Sequence, residues 1–148
     1  MKHTSRSSLT LLSSFKRALC IGTICMLCTG CKDNFDQRLA AEVAAFNQTH
    51  CPFEPSPGER LDSTSYHSDS RTYTLCYSLD SLHEAIIKEQ GHLMHKALLE
   101  ELRNEVNHKE LKDHGVVFEY RYYSQRTREE LYHVSLRPAE YQSREIGQ

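Results

Sequence analysis

Apolar and polar residues alternate with a period of two along residues 72–79. Tyr73, Leu75, Tyr77 and Leu79 interleave with Thr72, Thr74, Cys76 and Ser78, which predicts a half-buried strand. The alternation returns at 116–123, where Val116, Phe118, Tyr120 and Tyr122 oppose Val117, Glu119, Arg121 and Tyr123. Beyond a polar turn at 124–130, Tyr132, Val134 and Leu136 predict the return strand of a hairpin, stopped by Pro138. Residues 60–67 form a weaker strand, joined to the first by a turn at Asp69 and Ser70.

Helical spacing replaces alternation elsewhere. Phe35, Leu39, Val43 and Phe46 recur at steps of three and four, predicting a helix over 33–49. Ser81 followed by Glu84 reads as a capping box, with Ser81 as N-cap. It opens a long helix over 82–106 whose stripe is Leu82, Ile86, Leu93, Ala97, Leu98, Leu102 and Val106. A short turn over 109–113 ends at His114 and Gly115. Residues 51–58 hold three prolines, which exclude a helix or a central strand and predict a stiff crossover. The order is αββαββ. It predicts an α+β fold in which one four-stranded antiparallel sheet packs on the long helix, with a disordered tail over 141–148.

The first 30 residues follow another logic. Lys2, Arg6, Lys16 and Arg17 precede a short apolar run that begins at Ala18, with no acidic residue among them. That order is the one found in secretory signal peptides. The run is too short for a spanning helix, which needs about 20 apolar residues. Leu27-Cys28-Thr29-Gly30-Cys31 resembles the lipobox of bacterial lipoproteins, with Cys28 where the pattern usually has Leu, Val or Ile. The resemblance implies removal of residues 1–30 and lipidation of Cys31. It implies a lipid-anchored helix over 31–50 and an α+β domain over 51–140. Lys32, where Asp would retain such a protein in the inner membrane, implies the outer membrane. The spacing of Arg60 to Ser63, Tyr73 to Asp80 and Val117 to Tyr122 also resembles a group of small lipoproteins from Gram-negative gut and oral bacteria, which supplies no activity.

Charge and cysteine usage sharpen this picture. Of 18 Lys and Arg, four precede Cys31, whereas none of the 20 Asp and Glu does, so the remainder carries a formal −6. An acidic body argues against a nucleic-acid partner and against electrostatic adhesion to anionic lipid. Cys51 and Cys76 are the cysteines left beyond Cys31. An even pair in an oxidising compartment is expected to form a disulfide, worth about 3–4 kcal/mol for a loop of this length. The alternative is two free thiols with Cys76 buried in its strand.

Candidate chemistry is sparse. His92 and His95 share a face of the long helix with Glu89, but a zinc site needs three or four converging ligands. There is no Gly-x-Ser-x-Gly and no glycine-rich phosphate loop. No catalytic residue, metal ligand or cofactor is assigned. The expected function is that of a non-enzymatic binding or structural module, held to the membrane by lipid and contacting an envelope protein partner. The expected contact surfaces are the strand face bearing Thr72, Thr74, Glu119, Arg121 and Tyr123, and an edge strand at 60–67. Two alternatives are an envelope hydrolase of cell wall or glycan using His67, Glu119 and His133, and a metal-binding lipoprotein using His92 and His95. Arg126 and Arg128 read as a solvated hairpin tip.

Overall fold

The computed structural model describes residues 30–143, with side chains from Asn34 onward. Residues 1–29 of the expected signal peptide, the Cys31 side chain and residues 144–148 lie outside the described residues. The chain divides into units Met1–Asn34 and Phe35–Gln148. Among the described residues no helix is long and apolar enough to cross a membrane.

The elements are α1 (Gly30–His50), β1 (Phe53–Ser56), β2 (Glu59–His67), β3 (Thr72–Leu79), α2 (Ser81–Asn104), α3 (Lys109–Asp113), β4 (Val117–Ser124), β5 (Glu130–Leu136) and α4 (Pro138–Gln142). They form an α+β fold around one five-stranded mixed sheet of order β1-β2-β3-β4-β5. The four-stranded antiparallel sheet expected from the sequence is therefore corrected in two ways.

First, the prolines at 52–57 do not form a plain crossover. Phe53 pairs with Leu61 and Ser56 with Glu59, making an extra edge strand. Pro55 is tolerated because an edge strand leaves one row of amides unpaired. Pro57 and Gly58 turn the hairpin, and Gly58 sits at φ +82°, a conformation that glycine adopts without strain. The strand at 60–67 is consequently interior, and the free edges are β1 and β5.

Second, the two expected hairpins meet in parallel. β3 and β4 pair from Thr72↔Val117 to Leu79↔Ser124. Parallel neighbours need a crossover connection. Here α2 carries the chain from the Leu79 end of β3 back to the Thr72 end, so β4 starts beside the start of β3.

All the buried apolar residues lie on one side of the sheet. Leu75, Leu79, Phe118, Tyr120, Tyr122, Val134 and Leu136 point from the strands into a cluster with Phe35, Leu39 and Val43 of α1 and Ile87, Leu98 and Leu102 of α2. The α2 stripe differs from expectation. Leu82, Leu93 and Val106 are 66%, 54% and 78% exposed, while Ile87 is buried. The cap differs as well. Asp80 is the N-cap, accepting from the His83 amide at 2.9 Å. Glu84 instead accepts from Ser124 Oγ at 2.9 Å and from Lys88 Nζ at 2.7 Å.

Pro138 ends β5 but also opens α4, where proline suits the first helical turn. The first residue of the expected disordered tail is ordered. Tyr141 is buried, donates to the Val116 carbonyl at 2.8 Å and meets Phe118 edge-on.

Candidate functional site

The helix-bearing face of the sheet is not fully covered. Three cavities follow one another on this face, the first beside α1 and the other two beside α2. The first, about 210 Å³, is lined by Leu39, Val43 and Phe46 of α1 with Tyr73 and His108. The second, about 130 Å³, continues over Leu75, Tyr77 and Tyr120 to Glu101 and Glu105 of α2. The third, about 250 Å³, runs from Glu101 along Ile86, Met94 and Ala97 over Tyr122 and Leu79 to Glu59. His108 borders the first two and Glu101 the last two, so they make one trough.

Local sequence explains the floor. Tyr73 and Tyr77 share a face by strand alternation, as do Tyr120 and Tyr122. The parallel register sets Tyr77 beside Tyr122, and their rings stack with centroids 5.2 Å apart. Burial, then the nearby carboxylates and other tyrosines, push the Tyr77, Tyr120 and Tyr122 phenols well above their ordinary 10. They stay neutral at physiological pH, as apolar plates with a hydrogen-bonding tip. Burial lowers the His108 pKa, and its Nδ1 is buried without a hydrogen-bond partner among the described residues. Apolar walls, aromatic floor and a few polar groups are the make-up of a binding surface, and the three linings hold no Ser, Cys or Lys.

The opposite face carries no helix core. The expected surface residues Thr72, Thr74, Glu119, Arg121 and Tyr123 do lie there, alternating with the buried strand residues. Most of them are engaged with one another. Glu119 accepts from Thr74 Oγ1 at 2.9 Å and from Arg121 at 2.8 and 3.0 Å, and lies 2.7 Å from His133 Nε2. Burial pushes the Glu119 carboxyl up, but the hydrogen bonds from Arg121 and Thr74 outweigh it and hold it below its ordinary value. The fold thus unites Glu119 and His133 of the hydrolase alternative. His67 ends β2 two residues away in register, opposite Thr72. None of the three trough cavities is lined by any of them.

The remaining candidates are separated. His95 lies 3.0 Å from Glu140 Oε1, across from α4. Among the described residues no group of three His, Cys, Asp or Glu side chains is placed to hold a metal. Arg126 and Arg128 are 71% and 66% exposed and make contacts near 4 Å to Glu84 and Asp62.

The expected Cys51–Cys76 bridge is corrected: both thiols are free. Cys51 packs against the apolar cluster on the helix face. Cys76 alternates with Leu75 and Tyr77 and so points to the other face. The sheet itself stands between the sulfurs. Burial raises both thiol pKa values, which disfavours the reactive thiolate.

The family model described as Domain of unknown function (DUF8479) matches residues 34–132. The chain belongs to this family. The DUF8479 match begins in α1 and ends in β5, so it spans every trough residue and stops short of α4. No curated protein matches the chain.

Two solved structures share the fold. A protein of Pseudomonas aeruginosa described as secreted has a TM-score of 0.63 at 11% identity, covering 75% of this chain and 96% of its own. The pilotin EpsS of the Vibrio vulnificus type 2 secretion system has a TM-score of 0.56 at 8% identity, covering 76% and 96%. At these identities the likeness is one of fold.

Proposed function

We propose that this DUF8479 protein is a lipid-anchored, non-enzymatic docking module of the bacterial outer membrane, which holds another envelope protein at the trough on the helix-bearing face of its sheet. The trough is the observation that carries the reading. It leaves Tyr73 and Tyr77 only partly buried and Ile86 43% exposed at its rim, and apolar surface left in contact with water marks interaction sites. The fold it shares with a type 2 secretion pilotin supports an envelope role.

The anchor enters through Cys31. The lipobox-like stretch supplies the site, and α1 starts at Gly30, so the body begins without a long tether. Each buried methylene of an acyl chain contributes about 0.8 kcal/mol, and a single chain holds only marginally. A multiply acylated cysteine would keep the body at the bilayer surface.

Metabolic labelling with a palmitate analogue, followed by membrane fractionation, tests the anchor. Label in the outer-membrane fraction, lost in Cys31→Ser, is the expected result. An unlabelled soluble product that is unchanged by the substitution refutes it. Cross-linking mass spectrometry in intact cells tests the docking role, with an envelope protein joined to α1 or α2 as the expected adduct.

A further inference from the structure

The second of the three cavities is lined by polar groups that lack partners. Tyr120 is 8% exposed, and its hydroxyl makes no hydrogen bond among the described residues. The Tyr77 hydroxyl makes none there either, and the buried Nδ1 of His108 is in the same position. All three residues border this cavity, together with the Glu101 and Glu105 side chains. Leaving a buried polar group unpaired is costly, so each of these calls for an occupant that satisfies it.

The same groups set the charge of that occupant. The lining holds no Lys or Arg, and among the described residues none ion-pairs with Glu101 or Glu105. Burial, opposed by Glu105 and helped by Lys112, depresses His108, so it adds no positive charge at neutral pH. Two carboxylates, a neutral imidazole and two phenol oxygens can all accept from a cationic donor. A metal ion does not suit them: among the described residues no three His, Cys, Asp or Glu side chains are placed to hold one. An ammonium group carries three N–H donors and needs no such convergence. Size narrows the class further. A cavity of about 130 Å³, at roughly 30 Å³ for each non-hydrogen atom, holds about four atoms. A lysine side chain has four from Cγ to Nζ, whereas arginine has six beyond Cβ, ending in a flat fork. Glu101 is exposed and Tyr77 only partly buried, which puts the mouth of the cavity at the solvent side of α2.

Resting on the docking role proposed above, we infer that this cavity takes the end of one lysine side chain of the docked protein, its ammonium donating to Glu101, Glu105 and His108 Nδ1 and its methylenes lying on the rings of Tyr77 and Tyr120. With its own proton on Nε2, His108 offers the Nδ1 lone pair. Hydrogen bonds from a cation to carboxylates are the strong kind, and attraction to the tyrosine rings adds to them. A single inserted side chain needs no open groove. Interfaces concentrate their binding energy in a few such desolvated anchors.

The probe is n-butylammonium, which copies the end of lysine, added to the full-length protein labelled with 3-fluorotyrosine. The fluorine resonances of Tyr77 and Tyr120, assigned with Phe variants, should move saturably. The probe should bind at least tenfold more tightly than n-butanol, n-butyrate or n-butylguanidinium. Glu101→Gln/Glu105→Gln should weaken it at least tenfold with circular dichroism unchanged. Glu100→Gln, on the same helix but outside the lining, should leave it unaltered. Equal binding of n-butanol or n-butylguanidinium overturns the inference. So does undiminished binding in the double variant, or no saturable movement with any probe. In cells, replacing the partner lysine nearest the trough cross-link by Gln should cut the adduct at least tenfold. An undiminished adduct, with n-butylammonium still bound, makes a free amine the ligand and overturns the partner lysine. Trough adducts without n-butylammonium binding sink the cavity and spare the docking role. Binding of n-butylammonium by a protein that gives no trough adduct sinks the docking role and the partner lysine together.

Discussion

Tyr77 of β3 and Tyr122 of β4 stack at 5.2 Å with their planes 15° apart, side by side in the one parallel pairing of the sheet. Tyr77 lines the second cavity and Tyr122 the third, so this contact bears on stability and on binding together. Tyr122 is 5% exposed, and its truncation to Ala is expected to cost about 3–5 kcal/mol, as for a buried aromatic. Tyr77→Ala should cost less, because Tyr77 is only partly buried. A double-mutant cycle in urea should give a coupling of about 0.5–1.5 kcal/mol. A coupling of zero would mean the rings merely neighbour each other.

Gly58→Ala should destabilise the protein by about 1–3 kcal/mol. The backbone there has φ +82°, and an added Cβ would collide with the Asp80 carboxylate and come 2.8 Å from His83 Nδ1. Asp80 is the cap of α2, so the β1–β2 turn and the start of the helix are disturbed together. Chemical denaturation that finds Gly58→Ala neutral would contradict the described turn.

Stability should fall on acidification below pH 4.5. The His83 amide and ring hold Asp80 below its ordinary 3.8, and Lys88 and Ser124 hold Glu84 below 4.5. Glu119 is likewise lowered, its hydrogen bonds from Arg121 and Thr74 overcoming the effect of burial. A carboxyl whose folded pKa is depressed stabilises fully above its unfolded pKa, and the contribution is lost as pH falls through the folded one. The melting temperature should therefore slip as pH falls through 6.5, where the unfolded chain protonates His108 before the folded one does, and drop further below pH 4.5, with Glu84→Gln showing a shallower drop in that lower range. An identical acid profile in the variant would remove Glu84 from the account.

Two free thiols are expected in the purified protein. Alkylation under denaturing conditions should label both Cys51 and Cys76, and a reductant should leave the melting temperature unchanged. A mass lower by two hydrogens, with stability lost on reduction by the few kcal/mol of a loop-closing bridge, would reverse the assignment.

What the sequence made legible was what local pattern controls. The alternation at Tyr73–Leu79 and Phe118–Tyr122 placed β3 and β4 and their buried faces, and the spacing of Phe35, Leu39 and Val43 placed α1. What it hid depended on partners distant in the chain. The pattern points to Ser81 as the α2 cap, yet Asp80 caps and Glu84 is drawn away to Ser124, 40 residues on. The prolines near Pro55 disguised an edge strand whose pairing with β2 they permit. The parallel joining of β3 to β4 followed from the path of α2 rather than from any strand residue. The trough was missed for the same reason. Its tyrosines are legible as sheet residues, but the gaps that α1 and α2 leave above them are a property of packing.

The docking role can be read out directly by placing a photo-crosslinking amino acid at Ile86, Met94 or Glu101 along the trough, and at Thr72 or Arg121 on the opposite face, in the intact organism. The account predicts adducts with one envelope protein from the three trough positions and none from the other two. Adducts confined to Thr72 and Arg121 would place the working surface on the wrong side of the sheet for everything proposed above.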